Sequence, residues 1–167
     1  MINLRLNINE RINKIYLNEI FLTHLNDILV YENTRVFCKH NMEHFLDVAR
    51  IMYIINLEEN FNFSKDIIYA SALLHDIGRA VQYKDGIEHN VASSLLARKI
   101  LIQCNFTNFE IDIICTAIQN HRKVMKLENC LSSLLYISDK LSRNCFSCNE
   151  RKDCNWHMEK MNLQIKY

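Results

Sequence analysis

Ala70-Ser71-Ala72-Leu73-Leu74-His75-Asp76-Ile77-Gly78-Arg79 is the stretch from which the rest of the chain is read. Small and apolar residues run at helical spacing into two adjacent metal-binding side chains, and Gly78 then suits a helix terminator. His and Asp side by side on a rigid helix end reach one ion together, the imidazole through nitrogen and the carboxylate through oxygen. Because a carboxylate has two oxygens, Asp76 has the means to bridge two ions. A His-Asp pair alone is a weak signal, and its neighbours along the chain decide what it means.

Outward from this stretch the helical period persists and strict alternation is rare. Ile12, Ile15, Tyr16, Ile20, Leu22, Leu25 and Leu29 predict one amphipathic packing helix over about 9–30. Phe45, Val48, Ile51, Met52 and Ile55 predict a second over about 41–57. Ser64 is placed to cap the helix that ends in His75-Asp76. The polar stretch 79–88, with Gly86, reads as a loop, and about 89–103 as the next helix. Thr107-x-x-Glu110 fits a capping box that opens a helix to His121, and 131–141 forms the last. The expectation is an all-α bundle of about six or seven helices. With no proline and two glycines, the chain suits long helices better than tight β-turns.

At 167 residues, one domain over 1–167 is expected, with a packing helix at about 9–30, a core at about 36–143 and a cysteine-rich segment at about 144–167. Hydrophobic residues make up 49% and charged residues 23%, ordinary for a globular protein. A formal net charge of +1 gives no electrostatic footprint for polymeric nucleic acid or an anionic membrane. No apolar run is long enough to span a bilayer, and Met1-Ile2-Asn3-Leu4-Arg5 does not open a signal peptide. A cytoplasmic protein is expected, and its seven cysteines are then thiols or metal ligands rather than disulfides.

The ligand-type residues fall at helix ends or beside apolar faces: His44, His75, Asp76, His89, His121 and Asp139. A buried unpaired aspartate is costly, so such a set would be satisfied through ions. At this point the sequence resembles the HD superfamily, whose pattern is His, then His-Asp, then a distal Asp. Here these are His44, His75-Asp76 and Asp139, and His75-Asp76-Ile77-Gly78 reproduces the HDIG form. His89 and His121 match the subset that holds two metals. The resemblance covers about 36–156. The Gly-Tyr-Pro signature of the cyclic-dinucleotide branch is absent, since the chain has no proline.

The resemblance implies a compact HD-domain helical bundle with a central metal site. His44, His75, Asp76 and Asp139 would hold a first ion; Asp76, His89 and His121 would hold a second, with Asp76 bridging. Two ions about 3.5–4 Å apart activate water and neutralise phosphoryl charge. Mixed imidazole and carboxylate ligands suit Fe, Mn, Co or Ni, and Zn, better than Ca. Arg79, Arg122, Lys140 and Arg143 stand within a few residues of these ligands and are candidates for binding phosphate. Asp76, Lys140 and Arg79 are the candidate catalytic residues. The implied activity is a phosphohydrolase on a small phosphate ester or nucleotide, a diadenosine polyphosphate among them. The alternatives are an HD-type di-iron oxygenase and a non-catalytic metal-binding sensor or partner module. His40, four residues before His44, would share its helix face if the helix reached it.

Cys145-Phe146-Ser147-Cys148 followed by Cys154-Asn155-Trp156 has the spacing of a metal clip. Cys38 or His157 is available as a fourth ligand. Zinc, an iron–sulfur cluster and free thiols remain open. The segment resembles the ending of a group of bacterial HD proteins, in which such cysteines follow the Asp-Lys helix; here that helix carries Asp139-Lys140-Leu141-Ser142-Arg143. Cys104, Cys115 and Cys130, on or beside helical segments, read as small hydrophobes.

Overall fold

The computed structural model describes residues 9–122 and 130–167; the Met1–Arg5 reading lies outside them. Among the described residues the regular structure is helical, with eight α-helices and three short 3-10 turns. The helices are α1 (Glu10–Tyr16), α2 (Glu19–Tyr31), α3 (Met42–Glu58), α4 (Lys65–Leu74), α5 (Arg79–Asp85), α6 (His89–Gln103), α7 (Asn108–Asn120) and α8 (Leu131–Leu141). None of the helices among these residues is long and apolar enough to cross a membrane.

Polar caps punctuate the chain in place of proline. Asn9, Asn18, Asn41 and Ser64 each accept a backbone N–H at the start of α1, α2, α3 and α4. Thr107 and Glu110 close the expected capping box on α7. Two expectations are corrected. The single helix over 9–30 is two, because Asn18 takes an extended conformation and its side chain accepts from Ile20 N at 3.0 Å; the apolar period runs through the break and hides it. The loop over 79–88 is mostly helix α5, ended by Gly86 in the left-handed region at φ 74°. These two changes raise the count above six or seven.

The core is the meeting of α3 with α4 and α8, and of α6 with α7. Phe45, Met52, Ile68, Leu73, Leu74, Ile77, Ile100, Ile111 and Ile118 are fully or almost fully buried there. Arg11 ties α1 to this body through Asp66 on α4 and Glu110 on α7.

Gly78 is also corrected. It does not terminate α4, which ends at Leu74 with His75 as its C-cap, and its φ of −78° is ordinary. Its missing side chain is what the packing uses. A Cβ at Gly78 would lie 2.4 Å from Ser93 N and 2.6 Å from His89 O. Gly78 N donates to Ser93 Oγ at 2.8 Å. The first turns of α6 are thereby pressed against the His75-Asp76 turn. Gly78→Ala should therefore cost about 2–3 kcal/mol by overpacking against backbone, lowering Tm by about 2–4 °C for each kcal/mol. Gly86→Ala, in open space at positive φ, should cost only about 1–2 kcal/mol. Thermal denaturation of both variants checks the order; equal melting points would contradict it.

Candidate metal centre

Five segments deliver the polar centre. His44 stands in the first turn of α3, His75 and Asp76 in the turn after α4, His89 at the start of α6, His121 at the end of α7 and Asp139 near the end of α8. All six are buried. His44, His75, Asp76 and Asp139 bring one ligand atom each within 4.8 Å of one another, and Asp76, His89 and His121 form a second such group. The two groups share Asp76. Its Oδ1 lies 3.3 Å from His89 Nε2 and 3.5 Å from His121 Nε2. Its Oδ2 lies 3.3 Å from His75 Nε2. Asp139 Oδ1 stands 3.4 Å from His44 Nε2 and 3.7 Å from His75 Nε2.

The outer nitrogen of each imidazole determines what the inner one offers. His75 Nδ1 faces the Ala72 carbonyl at 2.7 Å, and His121 Nδ1 faces that of Ile118 at 2.6 Å. His89 Nδ1 faces Gln82 Oε1 at 2.7 Å. His44 Nδ1 faces Ser142 Oγ at 3.2 Å, whose own proton goes to the Asp139 carbonyl at 2.8 Å. Each Nδ1 must therefore donate, so each neutral ring turns an Nε2 lone pair inward. In the second group two such lone pairs face a carboxylate oxygen, an arrangement of acceptors that calls for a metal ion or a proton between them. Consistently, Asp76 Oδ1 and His75 Nε2 are buried without a hydrogen-bond partner. The donor set fits a divalent transition metal, with each histidine oriented by an outer partner.

Charge follows the same logic. Burial would raise the Asp76 carboxyl, but Arg79 and the surrounding imidazoles hold it well below its ordinary range. Burial likewise opposes ionisation of Asp139, and His44, His75 and Lys140 overcome it. Burial would lower His75, yet Asp76 and Asp139 raise it to about 9, so that without an ion its Nε2 holds a proton that a metal would displace. Burial lowers His44 to about 4 and His89 to about 3, keeping both rings neutral.

The cationic residues separate into two sets. Arg79 Nε lies 2.9 Å from Asp76 Oδ2, and Lys140 Nζ lies 2.6 Å from Asp139 Oδ2. Arg143 Nη2 stands 3.1 Å from His44 Nε2 and 3.4 Å from Asp139 Oδ1. These three, with Arg35 and Trp156, line a cavity of about 220 Å³ that also touches His40 and Asp139. Arg122 instead pairs with Glu88 at the surface and lines a different cavity.

The region before α3 contributes more than the sequence suggested. α3 begins at Met42, so His40 lies outside it and the shared-face route does not apply. His40 nevertheless reaches the centre, with Nε2 3.6 Å from Asp76 Oδ2. Glu32 places it, accepting from His40 N at 2.7 Å and Tyr83 Oη at 2.5 Å and meeting His40 Nδ1 at 2.6 Å. Burial would raise the Glu32 carboxyl, but His40 and Tyr83 hold it down at about 2. Glu32, Arg35 and Trp156 escaped the sequence reading because each comes to the centre through loop geometry rather than helical spacing.

A family model, the HD domain, matches residues 41–144. The chain belongs to the HD domain family. Its match takes in all six buried ligand-type residues. The chain is 44% identical over 158 residues to an uncharacterized protein of Clostridium beijerinckii, covering 95% of this chain and 99% of that one. It also resembles in fold the crystal structure of a predicted HD superfamily hydrolase from an uncultured Thermotogales bacterium. That likeness has a TM-score of 0.59 at 23% identity, over 75% of this chain and 67% of the other.

If Asp76 is shared, manganese loading should divide the two groups. We expect about two ions per chain in the wild type, none at the centre of Asp76→Ala, and one in His121→Ala. Elemental analysis of the manganese-loaded, desalted proteins checks this; equal contents in all three would contradict the sharing.

Proposed function

We propose that this HD domain is a metal-dependent phosphohydrolase that cleaves a small phosphate ester or nucleotide with two ions, held by His44, His75, Asp76, Asp139, His89 and His121. The observation that carries the reading is the joining of an acceptor-lined, buried centre to a cavity walled by four cations: Arg35, Arg79, Lys140 and Arg143. A phosphate carries the charge that such a wall lacks. Ions at the centre would supply water ionised near neutral pH and a Lewis acid for the phosphoryl group.

The chain's own residues then have separate tasks. Asp76 joins the two ligand groups, and Arg79 at 2.9 Å fixes its orientation. Lys140 is half-exposed beside Asp139 and free to turn its ammonium toward a phosphate oxygen. Arg143 already stands at His44 Nε2 and Asp139 Oδ1, so it and an ion compete for those two atoms and the guanidinium is at hand for the substrate. Trp156, with Lys140 5.7 Å from its ring centroid, offers a flat apolar wall for a base or other ring.

One observation favours a second reading. With Arg143 on His44 Nε2, the first group is partly satisfied without metal, as a non-catalytic sensor would allow. The four cations around the cavity favour an anionic substrate, and the dependence of turnover on oxygen separates hydrolysis from oxygenation.

The test is phosphate release from a panel of nucleotides, dinucleoside polyphosphates and simple phosphate esters, with manganese, cobalt, nickel or iron supplied without oxygen. We expect turnover of at least one class, its loss in Asp76→Ala, and a fall of about 10–100-fold in kcat/KM for Lys140→Ala, the size of one charge-assisted hydrogen bond. No release from any substrate by the metal-loaded protein would favour the sensor. Oxygen-dependent turnover with iron alone would favour the oxygenase.

A further inference from the structure

The four cysteines singled out by spacing converge on one place apart from the central ligands. Cys38, from the segment before α3, and Cys145, Cys148 and Cys154, from the segment after α8, line a single cavity of about 220 Å³. All four are free thiols. Cys38 lines the cavity where the other three cysteines meet, whereas His157 lines a neighbouring cavity that shares only Cys154 among the cysteines.

We propose that Cys38, Cys145, Cys148 and Cys154 hold an iron–sulfur cluster of the four-iron type, one cysteine to each iron. Spread and volume separate this from zinc. Among the described residues, the groups that bring three or more histidine, cysteine or carboxylate ligand atoms within 4.8 Å of one another are the two central ones. Tetrahedral zinc, with Zn–S about 2.3 Å, holds its sulfurs only about 3.8 Å apart. A cluster spreads its cysteines farther, because each binds a different iron. The cavity has room for about seven waters at ~30 Å³ each, space for a group of several atoms and more than one ion fills.

The surroundings suit such a group. Val36, Phe37 and Met161 make the walls largely apolar, and Arg151 stands on the rim to offset the negative charge of four thiolates. The segment also needs a staple. Beyond Arg143, Cys145 is the one buried residue, and three 3-10 turns are the only regular structure. Hydrophobic burial cannot hold a segment built in this way, whereas a bound cluster joins it to the root of α3. Cys38, Cys145 and Cys154 line the cationic cavity as well, so the cluster would also fix the wall of that cavity.

The test uses the full chain, purified without oxygen and reconstituted with ferrous iron and sulfide. Acid-labile sulfide distinguishes a cluster from zinc and from iron at the central site. We expect about four sulfides per chain, with broad visible absorption that dithionite bleaches. Asp76→Ala should keep this sulfide, and Cys38→Ala and Cys148→Ala should each lose at least four-fifths of it. Alkylation of the wild type maps the ligands without any variant. Cys38 and Cys148 are exposed, so both should react in the metal-free protein and become protected at least tenfold on loading. Less than one sulfide per chain, a single zinc on these thiols, or unchanged alkylation of Cys38 and Cys148 would each overturn the proposal.

Discussion

The Asp76 carboxylate is fully buried, and its two oxygens face four imidazoles and a guanidinium: His89 and His121 on one side, His75, His40 and Arg79 on the other. Burying one charge in a protein costs several kcal/mol unless partners surround it. Here the partners come from α5, α6, α7 and the segments flanking α2 and α4. The arrangement of these helices is therefore also the arrangement that gathers these groups around Asp76, with a cation needed to join its Oδ1 to His89 and His121.

Several features follow from that constraint. α6 must come close enough to place His89, and the bare backbone of Gly78 allows it. Each ligand imidazole must point Nε2 inward, and a carbonyl, an amide oxygen or the Ser142 hydroxyl engages its other nitrogen. Two buried carboxylates need positive charge, and Arg79, Lys140 and Arg143 supply part of it from the cavity wall. The same cations make that wall attractive to a phosphate. A cationic cavity arises here as a by-product of balancing the charge of the centre.

Much of this was legible because helices repeat. Ser64 and the Thr107–Glu110 box announced their helices, and both are observed. The six ligand-type residues stood out because polar side chains interrupt apolar stripes where a core is expected. What could not be read lies where the period carries no information. The apolar stripe continues across Leu17 and Asn18, so the break there needed knowledge of Asn18's conformation. The polar composition of 79–88 concealed a helix that leaves most of its side chains partly or fully exposed. His40 is placed by a carboxylate eight residues earlier, across a turn that no spacing rule describes. Cys38 was linked to the distant cysteines only as an option, and the shared cavity now brings all four together.

The claim at the centre is that one carboxylate joins two ions. Electron paramagnetic resonance of the chain loaded with manganese tests it directly, because ions bridged by a carboxylate couple their spins and separate ions do not. A spin-coupled pair spectrum at full loading, replaced in His89→Ala by the signal of an isolated ion, is the result this account predicts. An uncoupled spectrum of separate ions at every loading would contradict it.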